Sequence, residues 1–272
     1  MRTIRVGGFF TGIGAHVSAC DRITGEREGI RFEHIFSCEF DEKTAQAFDV
    51  MHSNHPPIRN LGDITKVHNI GGDLRVDILF TTPPCQDLSL AGRQAGCAQG
   101  SGTRSSLMFE TPRILRNTPR KDLPKWIVME EVPMLISKKF RPFFLELLAQ
   151  MTDLGYQHEF GIINAADMGV AQSRRRMFCI SRLGAPAPKL PEPIPLDKCL
   201  RDYLEPEPVD PSYYLSEDRI KGLVWSNQKE EEAGNNFRFQ PTTGGGTACT
   251  VTSRAGQRKT DNFLQVSGME WK

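Results

Sequence analysis

The sequence predicts an α/β fold in which helices cover both faces of a mostly parallel sheet. Three observations predict it. Apolar runs of strand length recur through the first two-thirds of the chain, helix-length segments alternate with them, and successive runs end in groups fit for chemistry. Alternation of this kind is the pattern of right-handed βαβ units. Open sheets built from such units bind ligands outside the carboxyl ends of their strands.

The first run, I-R-V-G-G-F-F, begins near residue 4 and meets the turn T-G-I-G. Gly12 and Gly14 fit either a plain structural turn or close approach of a ligand to the backbone, with a helix N-terminus behind them. Val17 stands where a dinucleotide fingerprint would have its third glycine. A helix is predicted over 13–23. The second run, F-E-H-I-F-S-C near residue 32, leads to Glu39 and a helix over 41–52. Glu39 fits either an acid that grips ribose hydroxyls or a capping, solvated one. Asp63, in L-G-D-I, reads as a turn residue.

The run V-D-I-L-F near residue 76 stops at T-T-P-P-C. Pro83 and Pro84 cannot continue a central ladder, so Cys85 sits on a stiff strand-end loop. It is either an exposed nucleophile or a half-buried thiol beside a turn. W-I-V-M near 126 runs directly into Glu130 and Glu131. Burial raises a carboxyl pKa, and a raised Glu130 would suit a proton donor at neutral pH. A helix is predicted over 140–154. The runs Y-Q-H-E-F-G-I-I-N and R-M-F-C-I-S then close the sheet as a strand pair without a crossover helix. In V-A-Q-S-R-R-R, period two puts Arg174 and Arg176 on one strand face and Arg175 on the other. They form a solvated basic edge or an anion clamp.

From Gly184 the composition changes. G-A-P-A-P-K-L-P-E-P-I-P-L reads as an extended connector. Beyond it come a short helix over 215–224, an acidic run at 229–232 and the turn G-G-G-T. Three regions are expected: 1–184 as the catalytic domain, 185–211 as the connector and 212–272 as a small C-terminal region. The 34 basic and 33 acidic residues nearly cancel to a net charge of +1, so no overall field demands a polyanion, although clustering outweighs the sum. Seven scattered cysteines form no CxxC pair and no zinc-like spacing. No run has the length of a membrane span, and the N-terminus enters a strand rather than a signal peptide. A cytoplasmic protein without metal or membrane partner is expected.

In the order glycine loop, strand-end Glu, Pro-Cys, strand-end Glu and Q-x-R-x-R, the chain resembles the cytosine-C5 DNA methyltransferases. P-P-C-Q-D-L-S, M-E-E-V and Q-S-R-R-R are the most specific motifs, and the resemblance covers residues 4–182 in detail. It implies a Rossmann-like, S-adenosylmethionine-dependent methyltransferase sheet with a small, partial C-terminal recognition region. The implied substrate is a flipped cytosine in double-stranded DNA, in a restriction-modification context. Phe10, Gly12, Ile13 and Gly14 would cradle the cofactor. Glu39 would bind its ribose, Phe40 would lie against the adenine, and Asp63 and Ile64 would touch the purine edge. Pro84 and Leu107 would complete the wall.

Cys85 would be the nucleophile and Glu130 the acid, with Arg174 and Arg176 in the cytosine pocket. Gln86, Ser89, Arg93 and Gln94 would close over DNA. The chain departs from the family pattern at Gly8 (usually Asp), Glu131 (usually Asn), Thr82 (usually Gly) and Ala171 (usually Pro). It stops about where the family's next motif begins. A second polypeptide is therefore expected to supply the later motifs and to cover apolar surface along residues 4–10. The alternatives are an RNA (tRNA) cytosine methyltransferase on the same fold and an inactive DNA-binding homologue.

Overall fold

A computed structural model of the chain describes residues 1–85, 102–206, 209–232, 234, 239, 241–250 and 262–265. The chain forms two compact units. The first combines Met1–Ile162 with Arg176–Pro191, and the second combines Ile163–Arg175 with Glu192–Lys272.

The first unit is built on strands β1 (Arg2–Phe9), β2 (Ile30–Ser37), β3 (Arg59–Asn60), β4 (Ile78–Thr81), β5 (Trp126–Glu131), β6 (Tyr156–Asn164) and, after the two-residue β7 (Gln172–Ser173), β8 (Arg175–Leu183). Their order in the sheet is β3-β2-β1-β4-β5-β8-β6. The pairs β1/β2, β1/β4, β2/β3 and β4/β5 are parallel, and β5/β8 is antiparallel. Chain order therefore reverses between β1 and β4, which makes their carboxyl ends the switch-point crevice of an open α/β sheet. The glycine loop leaves β1 and the Pro-Cys loop leaves β4. Two hydrogen bonds tie these loops: Thr82 N–H donates to the Phe9 carbonyl (3.2 Å) and its Oγ1 to the Phe10 carbonyl (2.6 Å).

Helices α1 (Ala15–Glu26), α2 (Glu42–Met51) and α4 (Arg141–Asp153) stand where the sequence predicts them. Asp41 caps α2 by accepting from Thr44 N–H at 2.8 Å, satisfying an end amide that the helix leaves unpaired. A further helix, α3 (Glu110–Asn117), was masked in the sequence by Pro112. That proline sits in the first turn, where its missing N–H costs no helical bond. Arg113 anchors α3 by donating to the carbonyls of Ile64 (3.2 Å) and Val67 (2.8 Å). Phe9, Phe36, Leu79, Ile114, Leu115 and Ile127 lie in one core cluster, and Met129, Phe140, Phe144, Leu147 and Met177 in another.

β1 is buried from Val6 to Phe9, so the expected apolar surface along residues 4–10 is not present. Among residues 1–60, the large apolar side chains that are exposed are Met1, Ile13, Ile23, Phe40, Val50 and Met51.

In the second unit, β7 pairs in parallel with β9 (Ala248–Cys249). Helix α5 (Glu217–Glu232) is longer than the predicted 215–224 and takes in the acidic run. The glycine-rich turn accepts hydrogen bonds from Leu200 N–H at Gly246 (2.8 Å) and from Arg201 N–H at Gly244 (2.9 Å). No described helix is long and apolar enough to cross a membrane.

Candidate active site

The glycine loop is shaped by left-handed backbone at Phe10 (φ +57°), Gly12 (φ +54°) and Gly14 (φ +84°). Gly14 caps α1, and a Cβ there would lie 2.7 Å from the Phe48 ring and 2.8 Å from His52 Cδ2. Only glycine fits that position. Gly12 is the opposite case, because an added Cβ would meet nothing within 4 Å. Its surroundings are open space. At Gly8 a side chain would meet Thr11 Cγ2 at 2.5 Å and His16 Nε2 at 2.8 Å, so the carboxylate usual there has no room in this chain.

Glu39, beyond the end of β2, accepts from Gly12 N–H through Oε2 and from Asp41 N–H through Oε1, both at 2.9 Å. Thr11 N–H donates to the Cys38 carbonyl at 3.2 Å, so the two strand-end loops are stitched together. A carboxylate offers about four acceptor sites, which leaves Glu39 capacity for further donors. Phe40 beside it is 77% exposed and Ile13 is 50% exposed. Asp63 accepts from Thr65 N–H (3.0 Å) and Oγ1 (2.8 Å), and these bonds hold its carboxyl below the usual range. Ile64 buries its side chain in the core, so only its backbone is offered to a ligand. Leu107 packs against the same core, and the Pro84 carbonyl accepts from Ser105 Oγ at 2.9 Å.

Cys85 lies on the loop that leaves β4, after Thr82, Pro83 and Pro84, and is half-buried. Cys20, Cys38 and Cys179 are fully buried, with thiols pushed up to about 12, 12 and 11 by desolvation. They are inert by comparison. Burial also raises the Cys85 thiol, and the carboxyl of Glu131 adds to this while Arg176 acts in the opposite direction.

The strand phase of β5 separates the two glutamates. Ile127, Met129 and Glu131 share the buried face, while Glu130 lies on the other. Glu130 pairs across the ladder with Phe178, and Arg176, two residues earlier in β8, projects on that same face. The result is an ion pair between Arg176 Nε and Glu130 Oε1 at 2.7 Å. Glu131 is only 2% exposed. Its Oε2 accepts from Val132 N–H at 2.7 Å, and its Oε1 is buried without a partner. Burial raises its pKa from 4.5 to about 8. Glu131, on the buried face of β5, is thus the carboxyl that the fold holds away from water. Period-two phase with Ile127 and Met129 is the sequence signal that could have found it.

Arg174 lies between β7 and β8 and belongs to the second unit, not to one strand shared with Arg176. Its N–H donates to Asn164 Oδ1 at 2.8 Å, and its carbonyl accepts from Ala165 N–H at 3.0 Å. Gln86, Ser89, Arg93 and Gln94 lie outside the described residues.

Cys85, the Glu130–Arg176 ion pair and the glycine loop thus converge on the carboxyl ends of adjacent strands. The family model for C-5 cytosine-specific DNA methylase matches residues 4–267. The chain belongs to that family. It is 30% identical over 237 residues to the type II methyltransferase M.HpaII of Haemophilus parainfluenzae, a match that covers 85% of this chain and 61% of the relative. It is 45% identical over 108 residues to the orphan methyltransferase M.SssI of Spiroplasma monobiae, a match that covers 40% of this chain and 28% of the relative. It therefore spans less than two thirds of either relative's length. In fold it is similar to the crystal structure of S. pombe Dnmt2 methyltransferase, with TM-score 0.69, 18% identity and coverage of 98% of this chain and 77% of the other.

Proposed function

We propose that this protein transfers a methyl group from S-adenosylmethionine to C5 of a cytosine flipped out of double-stranded DNA. The observation that carries the reading is Cys85 on its Pro-Cys loop within electrostatic reach of the Glu130–Arg176 pair. Cytosine C5 is a weak nucleophile. Attack of the Cys85 thiolate on C6 saturates the 5,6 bond and makes C5 enamine-like. Once C5 carries the methyl group, loss of its proton expels the thiolate from C6 and restores the double bond. Glu130, facing N3 and the exocyclic amine, offsets the charge that develops on the ring, and the Arg176 guanidinium fixes the carboxyl in place. The family resemblance adds Arg174 to the residues that hold the base, and Gln86, Ser89, Arg93 and Gln94 to those that contact the DNA. The Cys85 thiol must lose its proton before it attacks, since burial keeps it protonated at rest. Flipping the base costs a few kcal/mol.

The glycine-loop side fits S-adenosylmethionine. Gly12 faces open space, Glu39 stands at the β2 end with acceptor capacity, and Phe40 and Ile13 expose apolar surface beside it. Phe10, Gly12, Ile13 and Gly14 hold the methionine part, Glu39 the ribose, and Phe40 the adenine. Asp63 and Ile64 meet the purine edge, and Pro84 and Leu107 the remaining wall. When bound, the cofactor supplies a methyl group on a positively charged sulfur. A second polypeptide completes the site, a reading that the exposed apolar Val50 and Met51 at the end of α2 support.

DNA containing 5-fluorocytosine tests the covalent step. With cofactor, and with the completing chain where it is needed, wild type should give a denaturation-resistant complex that Cys85→Ser abolishes. Absence of the complex in wild type, or its persistence in Cys85→Ser, overturns the mechanism. Running duplex DNA and tRNA side by side in a tritium-transfer assay tests the substrate class.

A further inference from the structure

Away from the switch-point crevice, the fold gathers side chains that are far apart in the sequence. Asp21 lies on α1, His34 on β2, His52 caps the end of α2 and His55 follows it. One ligand atom each from Asp21, His52 and His55 lie within 4.8 Å of one another. His55 Nε2 is 2.9 Å from Asp21 Oδ2, and His52 Nε2 is 3.0 Å from the Ile13 carbonyl. The His34 ring packs edge-on against that of His55, with centroids 5.1 Å apart. Both of its ring nitrogens are buried, and neither has a hydrogen-bond partner.

The hydrogen bonds of His52 and His55 account for those two side chains. They do not account for His34. A neutral imidazole carries one donor and one acceptor, and burying both unpaired costs free energy that a leucine or phenylalanine there would avoid. Neutral imidazole nitrogens with one carboxylate oxygen are the donor set of zinc sites, at about 2.0–2.2 Å from the ion. Two ligand atoms on one tetrahedral ion are then about 3.3–3.6 Å apart, so the trio closes by side-chain rotation about the ion.

We propose that Asp21, His52 and His55 bind one divalent transition-metal ion of the zinc class, with the His34 ring, packed on His55, turning in as the fourth ligand. The ion takes over the Asp21 oxygen and the His55 nitrogen from their mutual hydrogen bond and gives His34 the partner it lacks. It joins α1, β2 and α2, and through the His52 contact to the Ile13 carbonyl it braces the glycine loop. The proposal is independent of the methyl-transfer reading. Because the ligands come from four places along the sequence, no spacing motif announces the site.

The test uses the full chain without an affinity tag, stripped with chelator and titrated with Zn2+ by calorimetry and with Co2+ by visible absorption. One equivalent should bind, and the cobalt spectrum should show d–d bands without thiolate charge transfer. His55→Ala and, separately, Asp21→Asn should each weaken Zn2+ at least tenfold, whereas His158→Ala should not. Circular dichroism confirms that each variant is folded, and His34→Phe provides a third ligand deletion with apolar packing retained. Failure of wild type to bind stoichiometrically overturns the site. So does a thiolate-type cobalt spectrum, or affinity unchanged in the folded ligand variants.

Discussion

At the scale of the residue, Glu131 is the most informative side chain. Its folded pKa of about 8 against an ordinary 4.5 means that the native state keeps a proton which the unfolded chain releases between those values. Stability from this group is full below pH 4.5 and falls as pH rises toward 8, at up to about 1.4 kcal/mol per pH unit. Glu131→Gln removes the titration. In urea unfolding, the variant should gain on wild type by a few kcal/mol between pH 5 and pH 8. An equal difference at both pH values would show that the carboxyl is not held neutral. Cys85 was legible because two prolines stopped its strand. The division of labour between Glu130 and Glu131 was not read from M-E-E-V, although the strand phase contained it. The Arg176 partner that separates them comes from β8, and such register is set by tertiary pairing.

At the scale of the element, the glycine loop shows two uses of the same residue type. Gly14 is both left-handed and crowded by Phe48 and His52, whereas Gly12 is left-handed in open space. Alanine at Gly12 should cost only backbone strain, about 1–3 kcal/mol. Alanine at Gly14 should cost that plus the clash, and should disturb the start of α1. Chemical denaturation of Gly12→Ala and Gly14→Ala measures the difference, and equal losses would refute the packing role of Gly14. The sequence pattern found β1, α1, β2, α2, β4, β5, α4, β6 and β8 because each is a periodic or apolar run with a clear terminator. It missed α3, whose Pro112 resembles a breaker until its place in the first turn is known. It also cut α5 short, since the charged residues at 229–232 look like a solvated loop.

At the scale of the whole molecule, two compact units are made from interleaved pieces of chain. A linear reading had assigned 1–184 to the catalytic domain, yet Ile163–Arg175 clusters with the second unit, and Arg174 with it. Compactness depends on contacts across the sequence, which composition shifts do not report. The cofactor reading makes a prediction at this scale. Ligand binding should slow amide hydrogen exchange at Phe10–Gly14, Glu39–Phe40 and Asp63–Ile64, while leaving 192–206 unchanged. The overall stabilisation should reach about 2.7 kcal/mol at a hundredfold excess over Kd. Protection spread evenly over both units, or absent from the glycine loop, would count against S-adenosylmethionine at this site.

The place of β8 in the sheet bears on how the protein is made. It lies between β5 and β6, yet it emerges from the ribosome after both. From the end of β5 to the end of β8 is about 50 residues, or roughly 3–10 s of synthesis at typical rates. Throughout that interval β5 has no neighbour on one side, and its unpaired edge carries the apolar stretch Trp126–Met129. An open apolar edge is a template for pairing with another chain, so crowding of nascent chains on one messenger threatens this protein most just before β8 arrives. Slow decoding of codons 132–183 would lengthen the exposure, whereas faster decoding or a chaperone that shields β5 would raise the soluble yield.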